Sequence, residues 1–478
     1  MHSDLRGWLQ RAEELGKVKR IKGAHWDREM AALAELFCYR KKLETPALLF
    51  EDIPGINKEF RVLFHELITP WAVALAMDFS PRYETLVDLV KIVHKKVENL
   101  KPIPPRVVSS GPILENVKQG DEVNLLELPV PRFSEFDGGR YIGTSDVVIM
   151  KDPDSGWINL GTYRMQLYDE KSCALFISPG KHGNLIRQKY FERGLPCPVA
   201  VCLGQDPSLM LFASNEVPYG IGEYDLVGGI KGAPVDVVLG PVTGLPIPAA
   251  AEIVIEGYCY PGDTRPEGPF PEWTGYYGSS SRAEPVMQVK ALLHRNEPIL
   301  TARHEIRNKV FDFRSLMRSA LLWKELETAG IPEVKGVWRY EQAGSRFFNV
   351  ISIKQSYYGH ARQTLHVAAQ TTAGAYAGRW VVVVDDDIDP SNIDEVLWAM
   401  ATRCQPATDI EFIHRSRSTP LDPLCFDKEK NYYTTLALVD ACIPYEEKKN
   451  FPRATGATPE YAREVAKKWE SLFSEDCK

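Results

Sequence analysis

DVVIM (146–150), ALFIS (174–178), PVAVCLG (198–204), LMLFAS (209–214), PVDVVLG (234–240) and AEIVIEGY (251–258) decide the fold. These runs fall between Pro112 and Leu300, where glycine and proline punctuate short apolar, β-branched stretches. Many short strands closed by turn residues imply a barrel-like or sandwich sheet. N-terminal to them, apolar residues recur at helical spacing in Asp4 to Lys17 (Leu5, Trp8, Leu9, Leu15), in 27–42 and in Pro81 to Val97. PALLFEDIPG (46–55) reads as a strand ending in a turn at Pro54-Gly55, and KPIPP (101–105) as a linker. C-terminal to them, helices are expected over Leu316 to Thr328, Gly359 to Gln370, Glu395 to Thr402 and Tyr461 to Phe473. Strands are expected at FFNVISIKQ (347–355) and Trp380 to Val384. Alternating strands and helices make this last third α/β.

With 478 residues, two or three domains are expected. Apolar residues at 44% suffice for a large core, and 25% charged residues is an ordinary globular share. A net charge of −7 argues against a nucleic-acid partner, which needs a basic face. An anionic substrate would then need a local basic pocket. The first residues mix charges with no apolar core of a signal peptide, and Trp380 to Val384 is far too short to span a membrane. The nine cysteines are scattered without a CxxC pair, as expected of reduced thiols in a cytoplasmic protein.

Four segments embed polar chemistry in this β-rich texture: WINLGTYRMQ (157–166), FISPGKHGN (176–184), ASNEVPYGIGEYDLVGG (213–229) and RPEGPFPEWTGYYG (265–278). Singly, each has an ordinary explanation, such as a surface arginine, a core histidine or an acidic turn. Their joint occurrence points to a site. Glu267 and Glu272 flank Gly-Pro-Phe-Pro, where two prolines fix φ, and such rigid carboxylates suit acid/base work. Arg164 is the candidate to pair with one of them and to hold a substrate carboxylate. Asn159, His182 and Glu223 form a second set. An amide oxygen, an imidazole and a carboxylate suit Mn²⁺ or Mg²⁺ better than a thiolate-rich zinc site does. Lys181 adds positive charge beside His182.

These segments, in this order, resemble the UbiD family of decarboxylases. The likeness runs from DLRGWLQRAEELGKVKRI (4–21) through LPVPRFSEFDGGRYI (128–142) and the segments above. It continues to KQSYYGHARQ (354–363), VVVVDDDIDP (381–390) and LWAMATRCQP (397–406). The resemblance implies an α+β fold in three parts: an N-terminal α/β segment (1–110), a flavin-binding split β-barrel (111–310), and a C-terminal α/β oligomerisation domain reached through a linking helix (311–478). It implies prenylated FMN with a divalent metal, Mn²⁺ or Mg²⁺, on Asn159, His182 and Glu223. It also implies K⁺ or Na⁺ near Trp157, Ala213, Ser214 and Glu216. Flavin contacts would run along Thr162, Tyr163 and Arg164, along Phe176, Ile177 and Ser178, and along Lys181 and His182. Arg164, Glu267 and Glu272 would be catalytic, with Glu272 the proton donor.

The implied activity is reversible, non-oxidative decarboxylation of an aromatic, heteroaromatic or α,β-unsaturated acid to CO₂. A flavin prenyltransferase would supply the cofactor, and the chain would form a homodimer or larger homo-oligomer. The alternatives are the 4-hydroxy-3-polyprenylbenzoate decarboxylase of ubiquinone synthesis and a catalytically idle flavin-binding subunit. Gly180-Lys181-His182-Gly183, where the ubiquinone branch has an HRGG-like segment, and Glu272, where that branch has Asp, count against the first. TARHEIRNK (301–309) reads first as a solvated charged loop; the alternative is a substrate-contacting segment in which Arg303, His304 and Arg307 would meet a second acidic or hydroxyl group.

Overall fold

The computed structural model describes residues 3–80, 83–215, 217–278, 280–307, 311–425 and 432–470. The N-terminal helices form where the apolar spacing put them, at Leu5–Glu14, Glu29–Lys41 and Leu86–Glu98. Asp4 caps the first by accepting from Gly7 N–H. Residues 81–82, at the start of the third expected helix, lie outside the described residues, as do 471–473 at the end of the last, Pro459–Lys468. The N-terminal helices accompany a four-stranded sheet ordered Val18–Lys22, Ala47–Glu51, Arg61–Phe64, Ile299–Ala302. Its last strand comes from far along the chain and lies parallel to Arg61–Phe64.

A nine-stranded, curled half-barrel sheet forms the centre, and its pairings are antiparallel. Along it run Tyr141–Gly143, Met165–Asp169, Ser172–Ala174, Arg282–His294, Ile253–Glu267, Cys197–Leu203, Asp146–Lys151 and Ile158–Gly161, with Asn116–Gln119 also paired to Arg282–His294. Its inner strands read as continuous apolar runs because both faces are covered. Along Asp146–Lys151, Val147 and Ile149 join one core while Val148 and Met150 join the other. The long pair Ile253–Glu267 and Arg282–His294 projects beyond that core, with a register shift between Cys259 and Thr264. Glu267 stands at its tip and Glu272 in the connecting turn.

LMLFAS is not a strand: Pro207–Ala213 is a helix. Asp206 accepts from Ser208 N–H at its N-cap and Pro207 occupies the first turn, so capping overrides the apolar run. ALFIS is a strand only to Ala174, beyond which residues 175–178 form an irregular segment. The buried helix Phe313–Thr328 packs against Leu86–Glu98 and leads into the C-terminal sheet. That sheet is ordered Val334–Arg339, Phe348–Ile353, Trp380–Asp385, Tyr433–Asp440, Ile410–Arg417, with a parallel centre and antiparallel edges. The eight cysteines among the described residues form no disulfide. No helix among those residues is long and apolar enough to cross a membrane.

Candidate active site

Arg164 follows the half-barrel strand Ile158–Gly161 and points at the tip of the long hairpin. Its Nη2 donates to Glu267 Oε2 at 2.8 Å, and its Nη1 donates to Glu272 Oε1. Both contacts are buried: the side chains are 9% exposed for Arg164, 0% for Glu267 and 10% for Glu272. The guanidinium lies 4.4 Å from the Phe176 ring centroid and 5.5 Å from that of Phe270. Its Nε is buried with no hydrogen-bond partner among the described residues.

The two carboxylates have different surroundings. Glu267 also accepts from the Tyr141 hydroxyl at 3.0 Å, so two donors hold it. Burial pushes the Glu272 carboxyl up to about 7. Arg164 opposes this, while Glu305 and Glu267 reinforce it. The turn is held by close backbone approach. Gly138 N–H donates to Pro269 O at 2.9 Å, and a Cβ on Gly138 would fall 2.1 Å from the Gly268 carbonyl oxygen. Gly268 N–H donates to Gln166 Oε1 at 2.8 Å.

The second constellation lies at the other end of the same strand. Glu223 begins the helix Glu223–Lys231, and Asn159 lies in Ile158–Gly161. Asn159 Nδ2 donates to Glu223 Oε1 at 2.9 Å and Leu160 N–H to Oε2 at 2.8 Å. His182 opens the helix His182–Glu192, with Lys181 at its N-cap. Its ring lies edge-on to Trp157, with centroids 5.3 Å apart, and to Tyr219 at the same separation. Tyr163 ties the two regions together. Its hydroxyl accepts from Gly183 N–H at 3.2 Å, and a Cβ on Gly161 or Gly183 would strike its ring.

Asn159 Oδ1 is buried without a hydrogen-bond partner among the described residues, an arrangement a bound cation would resolve. No group of three His, Cys, Asp or Glu side chains is clustered for a metal among those residues. The oxygen-rich set of Asn159 and Glu223 with the His182 imidazole nevertheless suits a hard divalent ion. The N-termini of two helices offer N–H groups and a positive dipole end to a phosphate.

Of the other sequence-predicted residues, Phe176 N–H donates to Arg164 O at 3.3 Å. Thus Thr162–Arg164 runs beside the segment carrying Ile177 and Ser178. Buried Arg187 donates to Leu175 O at 3.0 Å and steadies that segment. Ala213 and Ser214 lie at the C-terminal end of the helix Pro207–Ala213, and the Trp157 Nε1 is buried and unpartnered among the described residues. Glu216 lies outside the described residues.

Sequence reasoning missed Tyr141, Phe270, Gln166 and Arg282. Phe270 stood inside the GPFP turn and Tyr141 closed the FDGGRY stretch, so both were within reach of a closer reading. Arg282, whose guanidinium lies 4.3 Å from the same Phe176 centroid that Arg164 contacts, had no local signal.

Residues 106–305 match the 3-octaprenyl-4-hydroxybenzoate carboxy-lyase Rift-related domain of UbiD, and residues 312–441 match the corresponding C-terminal domain. The chain belongs to the UbiD family and is a carboxy-lyase. It is 32% identical over 413 residues to a pyrrole-2-carboxylic acid decarboxylase of Pseudomonas aeruginosa, covering 83% of this chain and 82% of that one. Vanillic acid decarboxylase of Sedimentibacter hydroxybenzoicus, in open form, superposes with a TM-score of 0.86 at 29% identity, covering 99% of this chain and 100% of that one. HmfF of Pelotomaculum thermopropionicum, a UbiD-class enzyme solved in complex with FMN, gives 0.84 at 28% identity, covering 96% and 98%. An evolved dimeric form of HmfF was solved with prFMN.

Proposed function

We propose that this chain reversibly decarboxylates an aromatic, heteroaromatic or α,β-unsaturated acid, with prenylated FMN bound in 111–310 and self-association through 311–478. The observation that carries this reading is the buried Arg164, which bridges a doubly held Glu267 and a Glu272 whose carboxyl is raised to about 7. Loss of CO₂ from an sp² carbon leaves an electron pair in the ring plane, which no side chain can accept. When bound, prenylated FMN supplies that electron sink.

The chain's own residues do the rest. Arg164 orients the substrate carboxylate, and its unpartnered Nε leaves it a donor to spend on the ligand. Glu267 and Tyr141 fix Arg164. Phe176 and Phe270 wall the reacting carbon from water. Glu272, neutral until about pH 7, delivers a proton to the carbon that carried CO₂. Asn159, His182 and Glu223 would hold Mn²⁺ or Mg²⁺ against the cofactor phosphate, beside Lys181. Trp157, Ala213, Ser214 and Glu216 would surround K⁺ or Na⁺. The intact Arg164 trio argues against an idle subunit, which has no use for it.

The test is co-expression with a flavin prenyltransferase, followed by the mass and absorbance spectrum of the bound cofactor and CO₂ release from a panel of acids. A protein that binds no flavin under those conditions would overturn the reading.

A further inference from the structure

Glu272 and its neighbour Trp273 share a tight turn. Gly275 N–H donates to Glu272 O at 2.9 Å, and Glu272 N–H donates to Tyr276 O at 2.9 Å. Pro271 and Tyr277 pair across the base of this turn. A Cβ on Gly278 would fall 2.6 Å from Glu272 Cγ, so the carboxylate's stem lies close against the returning chain. With its two limbs bonded together, the turn moves as a unit, and whatever holds Trp273 also holds Glu272.

Trp273 is held from the C-terminal part of the chain. Its indole packs on the Phe347 ring with centroids 5.1 Å apart, and the Arg346 guanidinium lies 5.7 Å from the indole centroid. Gly344 completes the socket. A Cβ there would stand 2.3 Å from Trp273 Cε3, 2.5 Å from Cζ3 and 3.2 Å from the Trp273 carbonyl oxygen. Turning the indole would not clear the last of these, because that oxygen belongs to the backbone of the turn. Glycine also suits the left-handed φ of 65° at this position.

The socket is firmly anchored. Gly344 N–H donates to Glu341 O at 2.9 Å and Phe347 N–H to Ala343 O at 3.0 Å. Phe347 O accepts from Trp380 N–H at 2.7 Å, at the start of the central strand Trp380–Asp385. The Ser345 hydroxyl bonds the Ser315 hydroxyl at 2.6 Å, on the helix Phe313–Thr328. Arg346 also lies 4.5 Å from the Tyr376 ring centroid. A tryptophan that only covered apolar surface could slide aside from a methyl group at 344. Here the slide must carry Glu272 with it.

We infer that Trp273 is a positioning residue through which the C-terminal sheet holds Glu272 in place for proton delivery. This inference rests on the reading of Glu272 as proton donor. Misplacing a reacting group by on the order of 1 Å costs up to about a hundredfold in rate, so spoiling either plug or socket should lower kcat by about tenfold or more. KM should hold, since the effect falls on the chemical step.

The experiment uses the cofactor-loaded enzyme, with Trp273→Ala, Trp273→Phe, Gly344→Ala and the double variant Trp273→Ala/Gly344→Ala. Gly330→Ala is the control, because Gly330 also has a left-handed φ (84°) but nothing within 4 Å of a Cβ. Two readouts are taken: kcat and KM for an acid that is turned over, and backbone hydrogen exchange across 272–278 by mass spectrometry. Trp273→Ala and Gly344→Ala should each lose kcat at constant KM and exchange faster across 272–278. Trp273→Phe should recover part of the loss, and Gly330→Ala should match the wild type in both readouts. The double variant should be no slower than Trp273→Ala, since a socket without its plug has nothing left to displace. Wild-type kcat and exchange in Gly344→Ala, multiplicative losses in the double variant, or a raised KM in Trp273→Ala would overturn this inference alone. Turnover of no acid by the wild type would overturn the decarboxylase reading, and exchange across 272–278 would then decide whether the socket holds the turn. If Gly344→Ala does not fold, exchange and kcat in Trp273→Ala against Trp273→Phe still decide.

Discussion

The hydroxyl of Tyr141 donates to Glu267 Oε1 at 3.0 Å, while Arg164 takes the other oxygen of the same carboxylate at 2.8 Å. The tyrosine ring also packs on Phe270, with centroids 4.1 Å apart, so one side chain braces both the carboxylate and the wall of the site. Tyr141→Phe keeps the ring and deletes only the donor. A buried carboxylate deprived of one partner is held less firmly, and about 1–2 kcal/mol of lost positioning corresponds to a kcat roughly tenfold lower. Steady-state kinetics should show the loss mainly in kcat, with the cofactor retained. An unchanged kcat would remove Tyr141 from the positioning network.

Glu272 sets the pH dependence. Its carboxyl is raised to about 7 by burial, against the pull of Arg164. It is protonated below that value and ionised above it, so the proton it delivers is lost as pH rises. Accordingly kcat/KM should fall about tenfold per pH unit above about 7 if Glu272 is the donor. Glu272→Gln should abolish turnover and deuterium incorporation into product while leaving the flavin bound. The linkage runs the same way for stability. A carboxyl raised above its unfolded value stabilises the fold relative to an ionised one only at low pH, and that contribution disappears as pH rises toward 7. Thermal melts should therefore show Glu272→Gln gaining on the wild type between pH 5 and pH 8. A constant difference across that range would mean that Glu272 is already ionised throughout.

The half-barrel was legible because its strands are covered on both faces and so read as uninterrupted apolar runs such as Val147–Met150 and Val199–Leu203. LMLFAS was misread for the same reason, since periodicity cannot separate a buried strand from a buried helix. Asp206-Pro207, a capping residue followed by proline, was the signal that should have decided it. The site divided differently. Glu267 and Glu272 could be paired by their rigid spacer alone. The approach of Arg164, 103 and 108 residues away, depends on strand register across the half-barrel, which a single sequence does not encode locally. The ion pair of Arg303 was equally out of local reach, because its partner Asp312 lies nine residues on.

Gly138 is a sharper test of how rigidly the turn must be held. Any side chain there would collide with the carbonyl of Gly268, the first residue of the GPFP turn, so the hairpin tip and Glu267 must shift to accept one. Overpacking of this kind costs about 1–3 kcal/mol, which for a chain this long lowers Tm by only a few degrees. Gly138→Ala should therefore stay folded yet lose more activity than its modest change in Tm explains. Wild-type kcat in a measurably destabilised Gly138→Ala would show that the trio tolerates displacement.

The unpartnered Asn159 Oδ1 gives the metal assignment its own readout. In Asn159→Leu that oxygen disappears, together with the Nδ2 donor to Glu223. Asn159→Asp keeps an oxygen at the same place but sets a second carboxylate against Glu223, which only a cation would make tolerable. If a divalent ion is held here, the leucine variant should purify with at least about tenfold weaker metal affinity and a correspondingly lower flavin-to-protein absorbance ratio. The aspartate variant should retain metal, and its melting temperature should rise on adding Mn²⁺. Chelation of the wild type should release flavin into the filtrate, and Mn²⁺ should restore its retention. Tyr219, whose ring covers His182, provides an independent check, since Tyr219→Ala should weaken metal retention without touching a donor atom. Metal content by mass spectrometry that stays equimolar in Asn159→Leu would exclude Asn159 as a ligand, whatever the activity of that variant.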